Sequence, residues 1–154
     1  MSKAENRVHL NQRDRLLILA FWIIFGLLET TGTYVAAKGT DAPLPFDTAL
    51  LANMPFWLVW GMLTPVAFWL AWRFHFQDGR PVRFGLVHFP AALVLSAIQI
   101  LVAGGIYWYA TRIYFWTYFP GSFRQTIPAF YSQWAQTYLI VDVIVYWAIV
   151  GAYH

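Results

Sequence analysis

The 154-residue sequence contains no cysteine and few charged residues. Without cysteine the chain can form neither a disulfide framework nor a thiolate metal site. Only 11% of its residues are charged, whereas a soluble domain usually has about 25%. Phosphate-binding glycine loops, nucleophile elbows and zinc-spaced clusters are also missing, so we expect no catalytic residues and no enzyme activity. The composition predicts a single domain whose main solvent is not water.

Long apolar runs take the place of the missing charge. Hydrophobic residues make up 60% of the chain and its mean hydropathy is +0.52. A helix needs about 20 apolar residues to cross a hydrocarbon core of about 30 Å, and four runs approach or exceed that length, at about 16–37, 54–74, 84–109 and 137–153. Lipid offers the backbone no hydrogen-bond partners, and the runs show no period-two alternation. The sequence therefore predicts one all-α integral membrane domain, a bundle of four transmembrane helices.

Basic residues lie beside these runs and form no continuous stripe, so we expect membrane lipid rather than nucleic acid as the partner. Four stand in the leader and three around the loop between spans two and three, seven in all, against three beside the alternate loops. The excess of positive charge marks the cytoplasmic side. We therefore expect a multi-pass protein of the cell membrane, in a bacterium the inner membrane, with both termini in the cytoplasm.

The segment between spans three and four, residues 111–136, is rich in aromatic side chains but interrupted by Pro120, Gly121 and Pro128. Such a segment favours a turn or short amphipathic helix in the outer interface, with its rings at headgroup depth. The functional alternative is a lid or ligand platform.

Polar and small residues mark the faces expected to point into the bundle. In span one, Gly26, Glu29 and Thr30 share a helix face with Thr33 and Ala37. Small residues allow close helix approach, and hydroxyl groups can hydrogen-bond across helices. In span three a comparable strip is expected near Gln99, formed by Ala92, Ser96 and Gly104.

Glu29 and Asp142 are the costly residues of the first and last spans, at about 2.5 to 3.5 kcal/mol each near the bilayer centre. Neither is expected to face lipid. With a rise of 1.5 Å per residue, both are expected in the outer third, at depths that would let them meet. If they meet, we expect a shared proton, a bound cation or a cationic ligand. The alternative is that each fixes packing, bonded to Tyr, Thr or Gln or reaching Arg112.

Two other features have ordinary explanations beside functional ones. His88 and His154 are expected near the inner face, where two histidines can ligate a haem iron, but both positions are usual for interfacial histidines, so no cofactor or metal is predicted. Pro65 lies in the middle of span two and removes the donor for the carbonyl of Gly61. The resulting bend is either a hinge or a packing feature.

Three stretches together resemble the membrane sensor region of LytS-type sensor histidine kinases. They are residues 57–74 (WLVWGMLTPVAFWLAWRF), followed by a basic loop, then 88–93 (HFPAAL) and 146–154 (YWAIVGAYH). The resemblance implies a signal-receiving, dimerising module, here truncated or free-standing. Relatives continue into a Pro-His-Phe-x-Phe-Asn phosphoacceptor and a kinase domain. None of the four histidines, His9, His75, His88 and His154, has those neighbours.

The function expected from these features is a membrane sensor that passes a signal through span four to a cytoplasmic output. A LytTR-type response regulator is implied as a partner only if a kinase domain is attached, and a homodimer is expected. The alternative is a small transporter or an ion or proton channel lined by the two carboxylates. A purely structural assembly factor is the third reading. For either ligand-binding function the candidate residues are Glu29, Thr30, Gln99, Arg112 and Asp142, with Pro65 as the hinge.

Overall fold

The computed structural model describes residues 11–39, 44–74, 81–118 and 126–153. These stretches form four helices: α1 (Gln12–Lys38), α2 (Phe46–Arg73), α3 (Pro81–Tyr118) and α4 (Ile127–Tyr153). Within those stretches there is no strand, and each helix is long and apolar enough to cross a membrane. The predicted all-α bundle of four transmembrane helices is confirmed.

Helix α1 begins before its apolar run because polar residues cap it. The side chain of Asn11 accepts from the backbone N–H of Asp14 at 2.9 Å, and the Asp14 carboxylate accepts from the backbone N–H of Asn11 at 3.1 Å. This reciprocal capping box satisfies two N–H groups that would otherwise lack partners. The helix stops at Gly39.

The other helices also extend beyond their apolar runs. Helix α2 starts at Phe46, eight residues before the predicted start of span two at about residue 54, so Pro55 lies in its interior. Helix α3 continues to Tyr118 and α4 starts at Ile127. The aromatic segment 111–136, predicted to be a turn or short interfacial helix, therefore contributes to the ends of two long helices, and residues 119–125 lie outside the described residues. Packing explains the extension, since Phe130 and other rings of α4 bury themselves against α3.

Helix α2 is the centre of the bundle. It contacts α1, α3 and α4, and α3 also contacts α4. Among the described residues, no Cα atom of α1 comes within 8 Å of a Cα atom of α3 or α4. The bundle is thus a three-helix core to which α1 is attached through α2 alone.

Small residues set the close approach of these helices. Ala67 and Ala71 of α2 are fully buried. A Cβ atom at Gly61 would lie 3.4 Å from the Trp22 ring of α1, and one at Gly26 would lie 2.7 Å from the sulfur of Met54. Because helices in lipid gain little from the hydrophobic effect, such close packing is a main source of their association.

One end of the bundle is basic. It contains the start of α1 with Arg13 and Arg15, the end of α2 with Arg73 and the start of α3 with Arg83. This basic end serves below as the reference for depth. The last turn of α4, which ends at Tyr153, lies at the same end.

Candidate functional site

A polar layer lies in the middle of the three-helix core. It consists of Trp60 on α2, Ser96 and Gln99 on α3, and Asp142 on α4, each with no exposed surface. Nε1 of Trp60 donates to Oδ1 of Asp142 at 2.8 Å. Asp142 is 15 residues beyond the start of α4, about 22 Å along the helix. It therefore lies near the middle of α4, because α4 begins ten residues earlier than its apolar run; its place in the outer third of the bilayer stays a prediction.

Glu29 occupies a different environment from Asp142. Its side chain is exposed on the flank of α1 and accepts a hydrogen bond from Nε1 of Trp57. The expectation that Glu29 points into the bundle is wrong, although its face-sharing neighbours Gly26 and Thr30 are buried against α2. The reason is helix geometry: a contact made only with α2 buries a narrow strip of α1 and leaves Glu29 at its edge.

The two carboxylates do not bond to each other. Oδ1 of Asp142 binds Trp60, and Oδ2 has no hydrogen-bond partner in the protein. Trp57 and Trp60, successive tryptophans on α2, each bind one carboxylate, so α2 separates the two groups. Tyr138, one turn before Asp142 on α4, is near enough to interact electrostatically with both Glu29 and Asp142. A proton shared directly between the carboxylates is therefore excluded in this arrangement.

A second buried polar pair lies between the polar layer and the basic end. Nδ1 of His88 is 2.6 Å from the hydroxyl of Tyr146, and its Nε2 is 3.3 Å from the backbone carbonyl of Phe74. A carbonyl can only accept, so Nε2 carries a proton and donates to Phe74, while Nδ1 and the tyrosine hydroxyl form the second hydrogen bond. The ring is fully buried, and its bond to Phe74 places it beside the end of α2 at the basic end. His154 lies outside the described residues.

Two of the sequence candidates lie away from the polar layer. Thr30 is buried and donates to the carbonyl of Gly26 at 2.7 Å, a bond within its own helix. Arg112 is exposed, with its guanidinium 5.1 Å from the ring of Trp108. It is 13 residues beyond Gln99 on α3, about 20 Å along the helix. A contact between Arg112 and Asp142 is therefore excluded in this arrangement.

Helix α2 remains continuous through Pro65. The preceding residue, Thr64, donates to the carbonyl of Trp60 at 2.7 Å and accepts from Nε1 of Trp22 at 2.8 Å. These bonds tie α1 to α2 at the position where the proline interrupts the helical hydrogen bonds. Movement at Pro65 stays a prediction.

An apolar groove of about 380 Å³ separates α1 from α4. Residues of α1 line one side of the groove, residues of α4 line the other side, and α2 forms its floor. The wall residues are Ile18, Phe21, Trp22, Phe25, Trp57, Thr64, Phe68, Val145, Ala148, Ile149 and Ala152. A smaller cavity of about 150 Å³ lies between α2 and α3 near the end opposite the basic end, and Thr48, Tyr107 and Thr111 are among its lining residues. The groove exists because α1 contacts α2 without closing onto α4.

Sequence reasoning missed Trp60 and the pair formed by His88 and Tyr146. Trp60 lies near the middle of α2. A tryptophan at that depth needs an acceptor for its indole N–H. That requirement was the available signal that α2 presents a donor to a buried carboxylate.

Comparison of the chain with protein-family models, with curated proteins and with solved structures finds no match. The functional argument therefore depends on the polar layer, the groove and the attachment of α1.

Proposed function

We propose that this chain is a membrane-embedded sensing module whose moving part is α1. The observation that supports this most directly is the attachment of α1 through α2 alone, with the apolar groove between α1 and α4. A helix packed on one neighbour can swing about that contact towards or away from α4, whereas α2, α3 and α4 contact one another. Two packings of α1 would provide the two states that a sensor needs.

The groove supplies a way for a signal in the membrane to act on that equilibrium. Its wall is almost entirely apolar, so a lipid chain or an apolar ligand fits its chemistry better than an ion does. A ligand that binds more tightly when α1 is far from α4 than when α1 is close to α4 favours the packing in which the two helices are apart. The size of this shift depends on the difference between the two affinities. Both helices reach the basic end, so the change in spacing arrives at Arg13, Arg15 and Tyr153.

Orientation and output complete the proposal. The excess of basic residues at the end where α1 starts supports a cytoplasmic location for both termini in a bacterial inner membrane. The resemblance of residues 57–74, 88–93 and 146–154 to the sensor region of LytS-type histidine kinases supports signal output on that side. On this proposal the module works as a homodimer, and a LytTR-type response regulator is its partner if a kinase domain is attached.

A second candidate function, proton or ion transport, is favoured by one specific observation. The buried polar groups Asp142, Tyr146 and His88 follow one another from mid-depth towards the basic end, where His88 meets the carbonyl of Phe74. Such a column is the kind of structure that relays protons in membrane proteins.

The distance between α1 and α4 tests the sensing proposal. Because the chain has no cysteine, spin labels can be placed on cysteines introduced at Ile18 and Ala152, on opposite sides of the groove. We expect two distance populations whose ratio changes between nanodiscs of short-chain and long-chain phosphatidylcholine. A control pair at Met62 and Ile144, exposed positions on two helices that contact each other, is expected to give one unchanged distance.

Two outcomes would count against this proposal. A single α1–α4 distance, the same in both bilayers, would show that α1 has no second packing. Proton flux in proteoliposomes that is abolished by Asp142→Asn would instead support transport.

A further inference from the structure

The polar layer contains buried groups that the protein leaves without hydrogen bonds. Oδ2 of Asp142, Oγ of Ser96 and both amide atoms of Gln99 have no hydrogen-bond partner among the described residues, and all three side chains have no exposed surface. Burying such groups unsatisfied costs several kcal/mol for the neutral ones and more for a charge. Buried polar groups of this kind therefore indicate a ligand.

Helix register brings the three residues together. Contacts of His88 with Tyr146 and of Gly104 with Tyr131 fix the antiparallel alignment of α3 and α4. Between these contacts α3 advances 16 residues (88 to 104) and α4 covers 15 (146 to 131). From the His88–Tyr146 contact, Asp142 is 4 residues along α4, whereas Ser96 and Gln99 are 8 and 11 residues along α3. With the rise of 1.5 Å per residue, Ser96 and Gln99 are about 6 Å and about 10 Å from Asp142 along the axis.

The direction of the side chains shortens the remaining distance between Asp142 and Gln99. Side chains in a helix lean towards its N-terminus, and α3 and α4 run in opposite directions. Asp142 therefore leans away from the basic end and Gln99 leans towards it, so the two side chains converge on the depth of Ser96. The indole of Trp60, bonded to Asp142 from α2, marks the same depth from the third side.

The charges of the buried side chains determine which kind of ligand this site can bind. Asp142 is the only buried carboxylate in the described part of the chain, and no lysine or arginine is buried there. The nearest titratable side chains are those of Tyr138, Tyr146 and His88, and no lysine or arginine is among them. One negative charge with one indole donor needs a cation or a proton to balance it.

We propose that Asp142, Gln99 and Ser96 bind one monovalent metal cation in the centre of the bundle. A carboxylate, an amide carbonyl and a hydroxyl are hard oxygen ligands, suited to alkali ions. A single carboxylate balances a single positive charge, and no group of three or more acidic or histidine side chains that could hold a metal ion occurs among the described residues.

Direct binding of ²²Na⁺ to the detergent-purified full chain tests the proposal. We expect saturable binding of about one ion per chain in wild type, competed by unlabelled sodium. In parallel, the melting temperature is expected to rise by a few degrees when N-methyl-D-glucamine chloride is replaced by sodium chloride at constant ionic strength, because a ligand of the folded state stabilises it.

Variants assign the effect to the polar layer. Asp142→Asn is expected to abolish isotope binding and the sodium-dependent shift, and Gln99→Leu to weaken binding at least tenfold. Glu29→Gln, which changes the exposed carboxylate, is the matched control and is expected to retain both. If Asp142→Asn does not fold, Ser96→Ala and Gln99→Leu provide the test.

The opposite results would overturn the proposal. A folded wild-type protein that binds no ²²Na⁺ and melts at the same temperature in sodium, potassium and N-methyl-D-glucamine would show that Asp142 is balanced by a proton or by water. Binding that Glu29→Gln abolishes and Asp142→Asn retains would place the ion elsewhere. Neither result depends on whether α1 moves, so this site and the sensing proposal fail separately.

Discussion

Replacing Trp60 by phenylalanine is expected to destabilise the bundle through Asp142. The indole N–H of Trp60 makes the only hydrogen bond found for the Asp142 side chain, at 2.8 Å, and both residues are fully buried. Phenylalanine keeps an aromatic ring but has no donor. Hydrogen bonds to charged groups contribute about 1.5 to 3 kcal/mol, and a buried acceptor left without one cannot turn to water.

Trp57→Phe provides a matched control for this prediction. It makes the same chemical change one turn earlier on α2 and removes the bond to Glu29. Because Glu29 is exposed, its carboxylate can be solvated once the indole N–H is gone. Trp60 is fully buried and Trp57 only partly buried, so the difference between the variants contains the buried bond together with the larger loss of ring packing at Trp60. We expect Trp60→Phe to lower the free energy of unfolding by about 1.5 to 3 kcal/mol more than Trp57→Phe does.

The measurement is unfolding in mixed micelles, with added sodium dodecyl sulfate as denaturant and far-ultraviolet circular dichroism as the signal. Circular dichroism is preferred to fluorescence because both variants remove a tryptophan. Equal losses in the two variants, or a larger loss in Trp57→Phe, would refute the reasoning, since the buried bond would then contribute no more than the exposed one.

Two further predictions concern packing and the second polar pair. Gly104→Leu is expected to destabilise the protein by about 1 to 3 kcal/mol through overpacking, because a Cβ atom there would already lie 3.2 Å from an aromatic ring of α4. The control Gly32→Leu is expected to be tolerated, because a Cβ atom at Gly32 would meet nothing within 4 Å. Unfolding in mixed micelles compares the two variants, and equal losses of stability would contradict the packing described for Gly104. Tyr146→Phe is expected to cost about 1 to 3 kcal/mol because the buried Nδ1 of His88 loses its hydrogen-bond partner, the tyrosine hydroxyl at 2.6 Å. The control Tyr109→Phe, at a residue 64% exposed, is expected to change stability by less than about 0.5 kcal/mol, and a similar cost for both tyrosines would argue against the pair.

The site shows where sequence reasoning succeeded and where it did not. Asp142, Gln99 and Ser96 were recognised as interior polar groups because a polar residue within an apolar run is conspicuous and costly in lipid. Glu29 was assigned to the same region from its depth and from the helix face that it shares with Gly26 and Thr30, and Arg112 as an alternative partner of the carboxylates. Depth along a helix follows from counting residues, but the direction in which a side chain points around the helix depends on which neighbour the helix packs against.

What the sequence by itself determined is the class of protein. Long apolar runs require helices in lipid, since no other open structure satisfies the backbone there, so four spanning helices followed from hydropathy and length. The tertiary structure decided which helix is central, that α1 contacts α2 alone, and that Trp60 reaches Asp142 while Glu29 stays on the flank. Lipid solvates different apolar side chains about equally well. Hydropathy therefore does not distinguish a helix face that packs on another helix from one that faces acyl chains. That choice depends on the fit of small residues and rings between particular helices, which exists only once the helices are assembled.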